Sequence, residues 1–542
     1  MSDQIADRKA KLEKLVEAGV NPYGERFTHV TKNADIRAAA EPMNIEPGQV
    51  LESDNATFRA AGRVRLRRVM GNLIFMTIRD WTGEIQLGVS KKAVLGAETK
   101  TQRHGGTEDV FLAPETAWKA AKLLDLGDIV GVAGKLGRTK TGELTLWVTH
   151  FRTLSKALRP PPEKRLGLTD VETRYRRRYV DLLSNPDSLR IFLQRAKIID
   201  HARRVLHRRH FVEVDTPVLQ PIYGGAAARP FLTHHNTLDM QLYLRISPEL
   251  YLKRCLVGGL ERVYEFSRCF RNEGISPRHN PEFTMLELYQ AYGDYHDMMD
   301  ITEEIVAGAA REVIGSLKIA FGEREIDYST PWPRHKYADL FVEHVGFDLE
   351  SIGQVRDRAR ELHAQKAITI DESRMDDPVV VNALFEHYVE SKLINPCFVL
   401  DYPAPLCPLT KRHPDNPNVA LRFEAFINGM ELGNAYTELN DPAVQRDTLA
   451  GGALKGEDDE TMAVMDEDFV EALEYGMPPA GGLGIGIDRL VMLLTGSTSI
   501  REVILFPLQR PEVSASPGDT LEFSEEANGD LTRPGSENAS EP

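Results

Sequence analysis

Hydrophobic and polar residues alternate with a period of two along residues 263–271 and again along 283–291, which predicts two β-strands. Arg271 shares one face of the first strand with other polar residues, and Glu287 and Tyr289 share one face of the second. The segment between them carries the side chains of Glu273, Arg278 and His279. This segment is longer than a simple chain reversal needs. The pattern indicates the floor of a binding site, with a solvated hairpin as the alternative.

Residues 57–153 carry five shorter stretches of β-type pattern, separated by turn signals. A helical segment at 117–124 falls between the third and the fourth stretch, which is the order of elements in an OB barrel. The first stretch is rich in arginine: Arg59, Arg63, Arg65, Arg67 and Arg68. Together with Phe75 and Gln86 on the next two strands, this basic surface suits a single-stranded RNA loop whose bases stack and are read at their edges. The alternative is a barrel with a basic rim and with Phe75 in its core.

Residues 154–187 are predicted to link two domains. Three prolines at 160–162 make the first part stiff and extended. The arginines at 174–178 either contact a phosphate backbone or pack between the domains. From Ser188 a helical pattern begins, followed by the predicted strand FVEVDTPVL. Because Pro217 cannot donate a hydrogen bond to a β-ladder, we expect this strand at a sheet edge or an interface.

The dipeptide Asn428-Gly429 predicts a tight hairpin turn that places Glu424 and Glu431 on one face. Two carboxylates so close repel each other unless a cation lies between them, and oxygen ligands favour Mg²⁺ or Mn²⁺. Three polar residues alternate on the opposite face: Asn434, Tyr436 and Glu438. Both sets can serve one site only if a β-bulge near Gly433 switches the parity of the strand. The alternative is an exposed acidic hairpin without a metal ion.

A glycine-rich strand runs directly into an apolar helix at residues 478–496, with Arg489 close to the start of the helix. Backbone N–H groups, the helix dipole and the guanidinium group together make an anion site. The alternative is a packed strand–helix junction with a surface arginine. Residues 294–395 have helical patterns and contain no candidate site residue.

Composition limits the classes of protein to which the chain can belong. The 542 residues are 42% hydrophobic and 27% charged, which fits a globular protein of two to four domains. The net charge of −15 means that any nucleic acid must be bound by local basic patches. The four cysteines form no CxxC pair, and we find neither a signal peptide nor an apolar run of membrane length. We therefore expect free thiols and a cytoplasmic location, with no membrane partner.

The three constellations around Arg271, Glu424 and Arg489, in this order, resemble the signature motifs of class II aminoacyl-tRNA synthetases. The basic barrel before them narrows the resemblance to the group that serves lysine, aspartate and asparagine. The resemblance covers about residues 55–510. Its most specific strings are GGAAARPFLTHHN, RISPELYLKR, FRNEGISPRHNPEFTMLELY, ELGNAYTELND and GLGIGIDR.

The resemblance implies an α+β fold class: an N-terminal OB-fold β-barrel, then a class II catalytic domain built on an antiparallel sheet flanked by helices. The predicted domains are a helical extension at 1–56, an OB-fold anticodon-binding domain at 57–153, a linker at 154–187, a catalytic domain at 188–510 and an acidic disordered tail at 511–542. A helical insertion at about 294–395 interrupts the catalytic domain.

The resemblance also implies an activity. ATP activates L-lysine to lysyl-adenylate with release of pyrophosphate, and lysine is then transferred to the 3′-terminal adenosine of tRNA(Lys). Lysine is favoured over aspartate because Glu249, Glu287 and Glu438 give the pocket a negative charge that suits an ε-ammonium group. The expected cofactor is Mg²⁺, with Mn²⁺ possible, ATP is a substrate, and the expected assembly is a homodimer.

Site residues follow from the same resemblance. The ATP-binding residues would be Arg271, Glu273, His279, Phe283, Glu424 and Arg489, of which Arg271 and Arg489 would be catalytic. The lysine-binding residues would be Gly225, Glu249, Glu287, Tyr289, Asn434, Tyr436 and Glu438. The metal ligands would be Glu424 and Glu431, and the anticodon would be bound by Arg68, Phe75 and Gln86.

Two departures from the family pattern touch no group assigned to chemistry: Tyr436 replaces a common phenylalanine, and Cys407 replaces a usual serine. Two other functions stay open as alternatives. A lysyltransferase that modifies a protein would lack the barrel at 57–153. A non-catalytic RNA-binding or regulatory protein on this scaffold would have lost the charged residues of the three motifs.

Overall fold

A computed structural model describes residues 2–97, 102–104, 107–109, 111–162, 167–370, 377–453 and 465–511. The predicted disordered tail lies outside the described residues from position 512 onward. Within these ranges no helix combines the length and the apolar character needed to cross a membrane.

The first ordered body is a closed β-barrel in which the strand order is β1-β2-β3-β7-β6. Its strands, with a small hairpin inserted after the third, are β1 (Thr57–Met70), β2 (Leu73–Arg79), β3 (Glu84–Ser90), β4 (Gln102–His104), β5 (Thr107–Asp109), β6 (Ile129–Arg138) and β7 (Leu144–Ser155). The helices here are α1 (Ser2–Glu17), α2 (Asn33–Ala40), α3 (Lys91–Leu95) and α4 (Pro114–Leu123). The predicted barrel, with a helix between its third and fourth strands, is confirmed.

The segment predicted as a linker contains two short helices, α5 (Val171–Arg176) and α6 (Arg178–Ser184). Arg178 is only 1% exposed, pairs with Asp181 at 2.5 Å, and donates to the carbonyl oxygens of Arg501 at 2.6 Å and Leu505 at 3.0 Å. Of the two alternatives for the arginine cluster, packing is therefore the one that holds for Arg178.

The second body is built on a nine-stranded sheet. Its helices are α7 (Pro186–Arg208), α8 (Glu249–Val257), α9 (Tyr295–Ala309), α10 (Tyr337–Val345), α11 (Ile352–Ala364), α12 (Asp377–Tyr388), α13 (Pro442–Ala453), α14 (Glu467–Glu474), α15 (Ile487–Thr495) and α16 (Ile500–Val503). Its strands, including two small separate sheets, are β8 (Val212–Glu213), β9 (Leu219–Gln220), β10 (Phe231–His235), β11 (Met240–Leu244), β12 (Arg262–Phe270), β13 (Glu282–Ala291), β14 (Lys318–Phe321), β15 (Arg324–Asp327), β16 (Arg334–Lys336), β17 (Cys397–Pro403), β18 (Arg412–His413), β19 (Asn416–Ile427), β20 (Met430–Thr437) and β21 (Ala480–Gly486).

The order of the sheet is β16-β17-β19-β20-β21-β13-β12-β8, with β18 beside β19. Its five central pairings are antiparallel, and parallel pairs occur only at the two ends, between β16 and β17 and between β8 and β12. Helices α7, α9 and α15 pack against the sheet around one large hydrophobic core. The antiparallel catalytic sheet flanked by helices is confirmed.

The prediction that FVEVDTPVL forms one continuous strand is wrong. The structure divides it into β8, which pairs with β12, and β9, which pairs with β11, and Pro217 lies between the two. The missing N–H group of proline explains the interruption. The expected edge position is confirmed, because β8 is the last strand of the sheet.

A β-bulge lies in the acidic hairpin. Ile427 pairs with Met430 and Phe426 with Glu431, but Ala425 pairs with Gly433, so Leu432 is an extra residue. The bulge turns Asn434 and Tyr436 towards the same cavity as Glu424 and Glu431. The predicted parity switch is therefore confirmed.

Gly433 allows β20 and β21 to approach closely at this bulge. A Cβ atom built at this position would lie 2.3 Å from the carbonyl oxygen of Gly484. We expect Gly433→Ala to cost about 1–3 kcal/mol of stability because a backbone must move. Thermal denaturation followed by circular dichroism should show a lower midpoint than wild type. Gly353→Ala is the control, since its added Cβ meets no atom within 4 Å. Equal midpoints for both variants would contradict this account.

Candidate active site

Four central strands of the sheet, β19, β20, β21 and β13, line two adjoining cavities. The arginine cavity is lined by residues that include Arg271, Glu273, Arg278, His279, Phe283 and Arg489. The carboxylate cavity is lined by residues that include Gly225, Glu249, Glu287, Tyr289, Glu424 and Tyr436. Some residues line both cavities: Arg271, Met285, Glu431, Asn434 and Gly484. Three distant segments of the chain thus supply one site.

Arg271 stands where the two cavities meet. Its backbone N–H donates to the carbonyl oxygen of Pro281 at 2.9 Å, which closes the base of the loop between β12 and β13. Its guanidinium carbon lies 5.1 Å from the centre of the Phe283 ring. Its Nε is buried and has no hydrogen-bond partner among the described residues. A buried donor of this kind is available for an anionic ligand.

Arg489 reaches the same cavity from the start of α15. Its Nη1 donates to the backbone oxygen of Glu431 at 2.7 Å, and its Nη2 lies 3.1 Å from Nε2 of His279. Because arginine can only donate, His279 must accept at Nε2 and carry its proton on Nδ1, which lies 2.9 Å from Oγ of Ser276. Burial, together with Arg489 and Arg271, lowers the pKa of His279, which favours this neutral form.

Asp488 fixes the start of α15 against the hairpin floor. Its carboxylate accepts from the backbone N–H of Thr284 at 2.7 Å and pairs with Arg195 of α7 at 2.6 Å. The side chain is almost fully buried. These contacts fix the start of α15 and so the position of Arg489. They argue against the alternative in which Arg489 is a surface arginine at a packed strand–helix junction.

The carboxylate cavity has two buried acidic residues in its wall. Glu249 is 4% exposed and Glu287 is 6% exposed. Burial and the neighbouring Glu249 raise the pKa of Glu287 to about 8, although Ser247 donates to it at 3.0 Å. Gly225, at φ +83°, passes so close that an added Cβ would lie 2.9 Å from Cβ of Glu249. The pocket therefore combines a tight backbone wall with carboxylates that need a cation.

Glu438 is fully buried and is not among the residues that line this cavity. A Cβ atom on Gly482 would lie 2.0 Å from its Oε1 and 2.5 Å from the Tyr289 ring. Since Gly482 pairs with Tyr289 and Tyr436, the Glu438 carboxylate lies on the same face of the sheet as these two lining residues. Its partner is Lys253, which the sequence analysis missed. The ammonium group of Lys253 lies 2.6 Å from Glu438 and 2.6 Å from Glu249. The i, i+4 spacing of Glu249 and Lys253 on a helix was the available signal.

Glu424 and Glu431 face the same space, as predicted. Glu424 pairs closely with Arg422 and accepts a hydrogen bond from the hydroxyl of Tyr402 at 2.8 Å. Burial raises the pKa of Glu424 to about 7, with Arg422 opposing and Glu431 adding to the shift. Within the described residues, no group of three or more His, Cys, Asp or Glu side chains is arranged to hold a metal ion.

Two further carboxylates near this pair come from a segment in which no site residue was predicted. Glu386 of α12 lines the carboxylate cavity, and burial, Glu386 and Glu424 raise the pKa of Glu390 to about 8. Residues 294–395, in which we predicted no site residue, therefore contribute one carboxylate to the cavity lining. Glu386 is exposed and Glu390 is half-buried, so the sequence pattern of a solvated acidic face agrees with their accessibility but does not indicate which cavity they face.

The barrel has a cavity of its own, and Arg68, Phe75 and Gln86 all line it. Phe75 pairs with Arg68 across β1 and β2 and lies edge-on to Trp147, with 6.0 Å between ring centres. The core positions of β2 are Ile74, Met76 and Ile78. The alternative that placed Phe75 in the core of the barrel is therefore wrong.

Comparison with protein families matches two parts of the chain. Residues 170–510 match the model described as tRNA synthetases class II (D, K and N). Residues 58–154 match the model described as an OB-fold nucleic acid binding domain. The matches agree with the two bodies seen in the structure.

Several curated proteins are similar over nearly their whole length. A lysine–tRNA ligase from Carboxydothermus hydrogenoformans is 47% identical, over 94% of this chain and 99% of its own. Those from Pelotomaculum thermopropionicum and Staphylococcus haemolyticus are 48% and 46% identical, over 94% of this chain and 96% and 99% of theirs. With the fold and the paired cavities, these matches show that the chain belongs to the class II tRNA synthetases of the D, K and N group and, within it, to the lysine–tRNA ligases.

Proposed function

We propose that this chain activates L-lysine with ATP and then transfers the lysyl group to the 3′-terminal adenosine of tRNA(Lys). The observation that carries the proposal is the position of Arg271, which lines both a basic cavity and an acidic cavity. A triphosphate in the first and an amino acid in the second would meet at this side chain. The arrangement suits attack of the lysine carboxylate on the α-phosphorus of ATP.

The arginine cavity offers donors and an aromatic face for ATP. Phe283 would stack on adenine, and Arg271 would hold the α-phosphate together with the lysine carboxylate. Arg489 would bind the outer phosphates from the opposite side, with Glu273 and His279 in the loop that covers the nucleotide. Fixed cations around a phosphate that gains charge in the transition state are the main catalytic contribution expected here.

The carboxylate cavity would hold lysine. Glu249 and Glu287 would face the ammonium groups, with Tyr289, Asn434 and Tyr436 along the side chain and the backbone of Gly225 closing one wall. A neutral amino acid of the same length would supply no ammonium group to Glu287, and Glu249 would keep only Lys253, which is a strong basis for discrimination in such a pocket. Glu438 would act from its buried position beside Gly482.

Glu424 and Glu431 would bind Mg²⁺, and Mn²⁺ could replace it. The fit rests on two carboxylates that line one cavity. Burial, with Glu431 adding to it, raises the pKa of Glu424 although Arg422 pairs with it, and Glu431 pairs with Arg489 at 3.3 Å. Mg²⁺ is commonly bound by one or two carboxylates together with substrate phosphates, so a pair of ligands is sufficient. When bound, the ion would neutralise negative charge on the ATP phosphates.

The reaction needs no nucleophilic side chain. Lysine carboxylate attacks the α-phosphorus and pyrophosphate leaves, giving lysyl-adenylate. The 3′-hydroxyl of the terminal adenosine then attacks the carbonyl carbon of the adenylate, and AMP leaves. The protein aligns the reactants and stabilises charge through Arg271 and Arg489.

The barrel cavity would bind the anticodon, with Phe75 as a stacking platform and Arg68 and Gln86 at the base edges.

The edge strand β8 and the exposed residues Leu232 and Leu238, each 64% exposed, support a homodimer through this side of the catalytic domain. The free thiols of all four cysteines support a location in the reducing cytoplasm.

Amino-acid-dependent exchange of pyrophosphate into ATP tests the first step. We expect exchange with lysine at a rate well above that with each of the other standard amino acids, since only lysine supplies an ε-ammonium to the carboxylate cavity. Exchange driven by aspartate or asparagine, or by no amino acid, would overturn the assignment.

A protein-modifying activity is disfavoured by the barrel, and a non-catalytic role is disfavoured because all motif charges are present.

Replacement of Arg271 tests the meeting point of the two substrates. We expect Arg271→Ala to lower the exchange rate about 10²–10³-fold, as loss of one preorganised donor does elsewhere. The matched control is Arg268→Ala, which removes a half-exposed arginine of β12, three residues before Arg271, that pairs with Glu282. Similar rates in the two variants would remove Arg271 from the proposed mechanism.

Replacement of Phe75 separates anticodon binding from lysine activation. Loss of one stacked base is worth about 1–3 kcal/mol, so Phe75→Ala should raise the KM for tRNA about tenfold or more and leave lysine-dependent exchange unchanged. Trp81→Ala is the control, because Trp81 is an exposed barrel aromatic outside the cavity. Unchanged charging by Phe75→Ala, or equal loss of both activities, would contradict an anticodon role.

A further inference from the structure

A lysine side chain is buried beside the carboxylate cavity. The side chain of Lys253 is fully buried, and its ammonium group lies 2.6 Å from a carboxylate oxygen of Glu249 and 2.6 Å from one of Glu438. Glu249 lines the cavity, whereas Glu438 is fully buried and does not. Lys253 therefore joins a lining carboxylate of the proposed lysine pocket to a buried one.

The groups around Lys253 explain why it stays charged. Glu249 comes from its own helix α8, Glu438 follows β20, and the Tyr289 ring of β13 lies 6.0 Å away. Glu287 of β13 and Tyr436 of β20 complete the titratable groups on this side of the cavity. Burial acts to lower the pKa of Lys253, but Glu249 and Glu438 outweigh it, so the pKa lies above its usual range.

Lys253 supplies part of the positive charge that the pocket needs. Three buried carboxylates, Glu249, Glu287 and Glu438, surround a space that would receive the ε-ammonium and α-ammonium groups of lysine. Lys253 is a fixed counter-charge for two of the three, Glu249 and Glu438. Without this ammonium group, the two carboxylates would face each other in a buried setting with no cation between them.

We infer, on the basis of the proposed lysine pocket, that Lys253 is a positioning residue for lysine selectivity. It lies between Glu249 and Glu438, holds both carboxylates in place and supplies their counter-charge, so that the pocket accepts the ammonium groups of the substrate. Lys253 touches neither cavity and takes no part in the chemistry at the α-phosphorus. Its effect should fall on the binding of lysine and not on the binding of ATP.

The direction of the pH dependence follows from these contacts. Burial and Glu249 raise the pKa of Glu438 to about 8, and Lys253 opposes this shift. In Lys253→Met the opposing cation is gone, so the pKa of Glu438 rises further, and at neutral pH lysine must displace a proton to bind. The KM for lysine should therefore be raised at pH 7 and should fall as the pH increases towards 9. At each pH, the lysine KM of the variant is divided by the lysine KM of wild type. This ratio cancels the effect of titrating the ammonium groups of the substrate itself.

The experiment measures lysine-dependent pyrophosphate exchange from pH 7 to pH 9 for wild type and three variants. For Lys253→Met we expect the KM for lysine at pH 7 to rise about tenfold or more, with the KM for ATP within about twofold of wild type. Lys156→Met is the matched control. Lys156 is also fully buried between two carboxylates, Asp125 at 2.7 Å and Asp128 at 3.0 Å, but it belongs to the barrel.

The double variant Lys253→Met with Glu438→Gln covers the case in which the single variant does not fold. It removes one positive and one negative charge, so the balance of the pocket is restored. We expect the double variant to fold, and we expect the ratio of its lysine KM to the wild-type lysine KM to be nearly independent of pH.

Four outcomes bear on the inference. A pH-dependent rise in the lysine KM for Lys253→Met, absent from Lys156→Met and repaired in the double variant, supports it. A wild-type lysine KM and pH profile in Lys253→Met overturns it. So does an equal loss for lysine and ATP that the double variant does not repair, because that is the mark of a purely structural lysine. Absence of lysine-dependent exchange in wild type would instead remove the proposed function itself.

Discussion

The pleat of the central sheet is the constraint on which the site depends. Side chains of a strand alternate between its two faces, so a strand that supplies groups to one cavity can use only every second residue. The bulge at Leu432 breaks this rule once. Glu431 lies before the bulge and Asn434 after it, and both reach the space between the arginine cavity and the carboxylate cavity. Without the extra residue, the proposed metal ligands and the lysine pocket would lie on opposite faces of the sheet.

Buried charge is the second organising feature. The site collects carboxylates and guanidinium groups that would each be costly to bury alone. Asp488 pairs with Arg195 and positions α15, so it is a fixed part of the scaffold. The Nε of Arg271 has no hydrogen-bond partner among the described residues, and it is available to a ligand. Other groups with proposed ligand roles already have a protein partner, as Glu249 has in Lys253 and Arg489 has in Glu431.

The sequence was sufficient where periodicity and turn chemistry determine structure locally. The barrel order, the hairpin at Asn428-Gly429 and the need for a bulge near Gly433 all follow from such signals. It was insufficient where long-range packing determines the environment of a side chain. The sequence does not show that Glu386 lines the carboxylate cavity, because that depends on how α12 packs in the hydrophobic cluster that it shares with β19. Likewise, Lys253 looks like one more basic residue of an amphipathic helix. Pro217 was judged to lie at an edge, correctly, but its power to divide the strand was underestimated.

The position of β21 in the sheet has a consequence for biosynthesis. This strand lies between β20 and β13, so the last strand among the described residues completes the middle of the sheet. During translation the barrel can close once residue 155 has emerged. By contrast, β13 ends at Ala291 and keeps an open edge until β21 is made, about 190 residues later. An open hydrogen-bonding edge invites pairing with other chains. The catalytic body is therefore the part of this chain with most to gain from a chaperone on the ribosome.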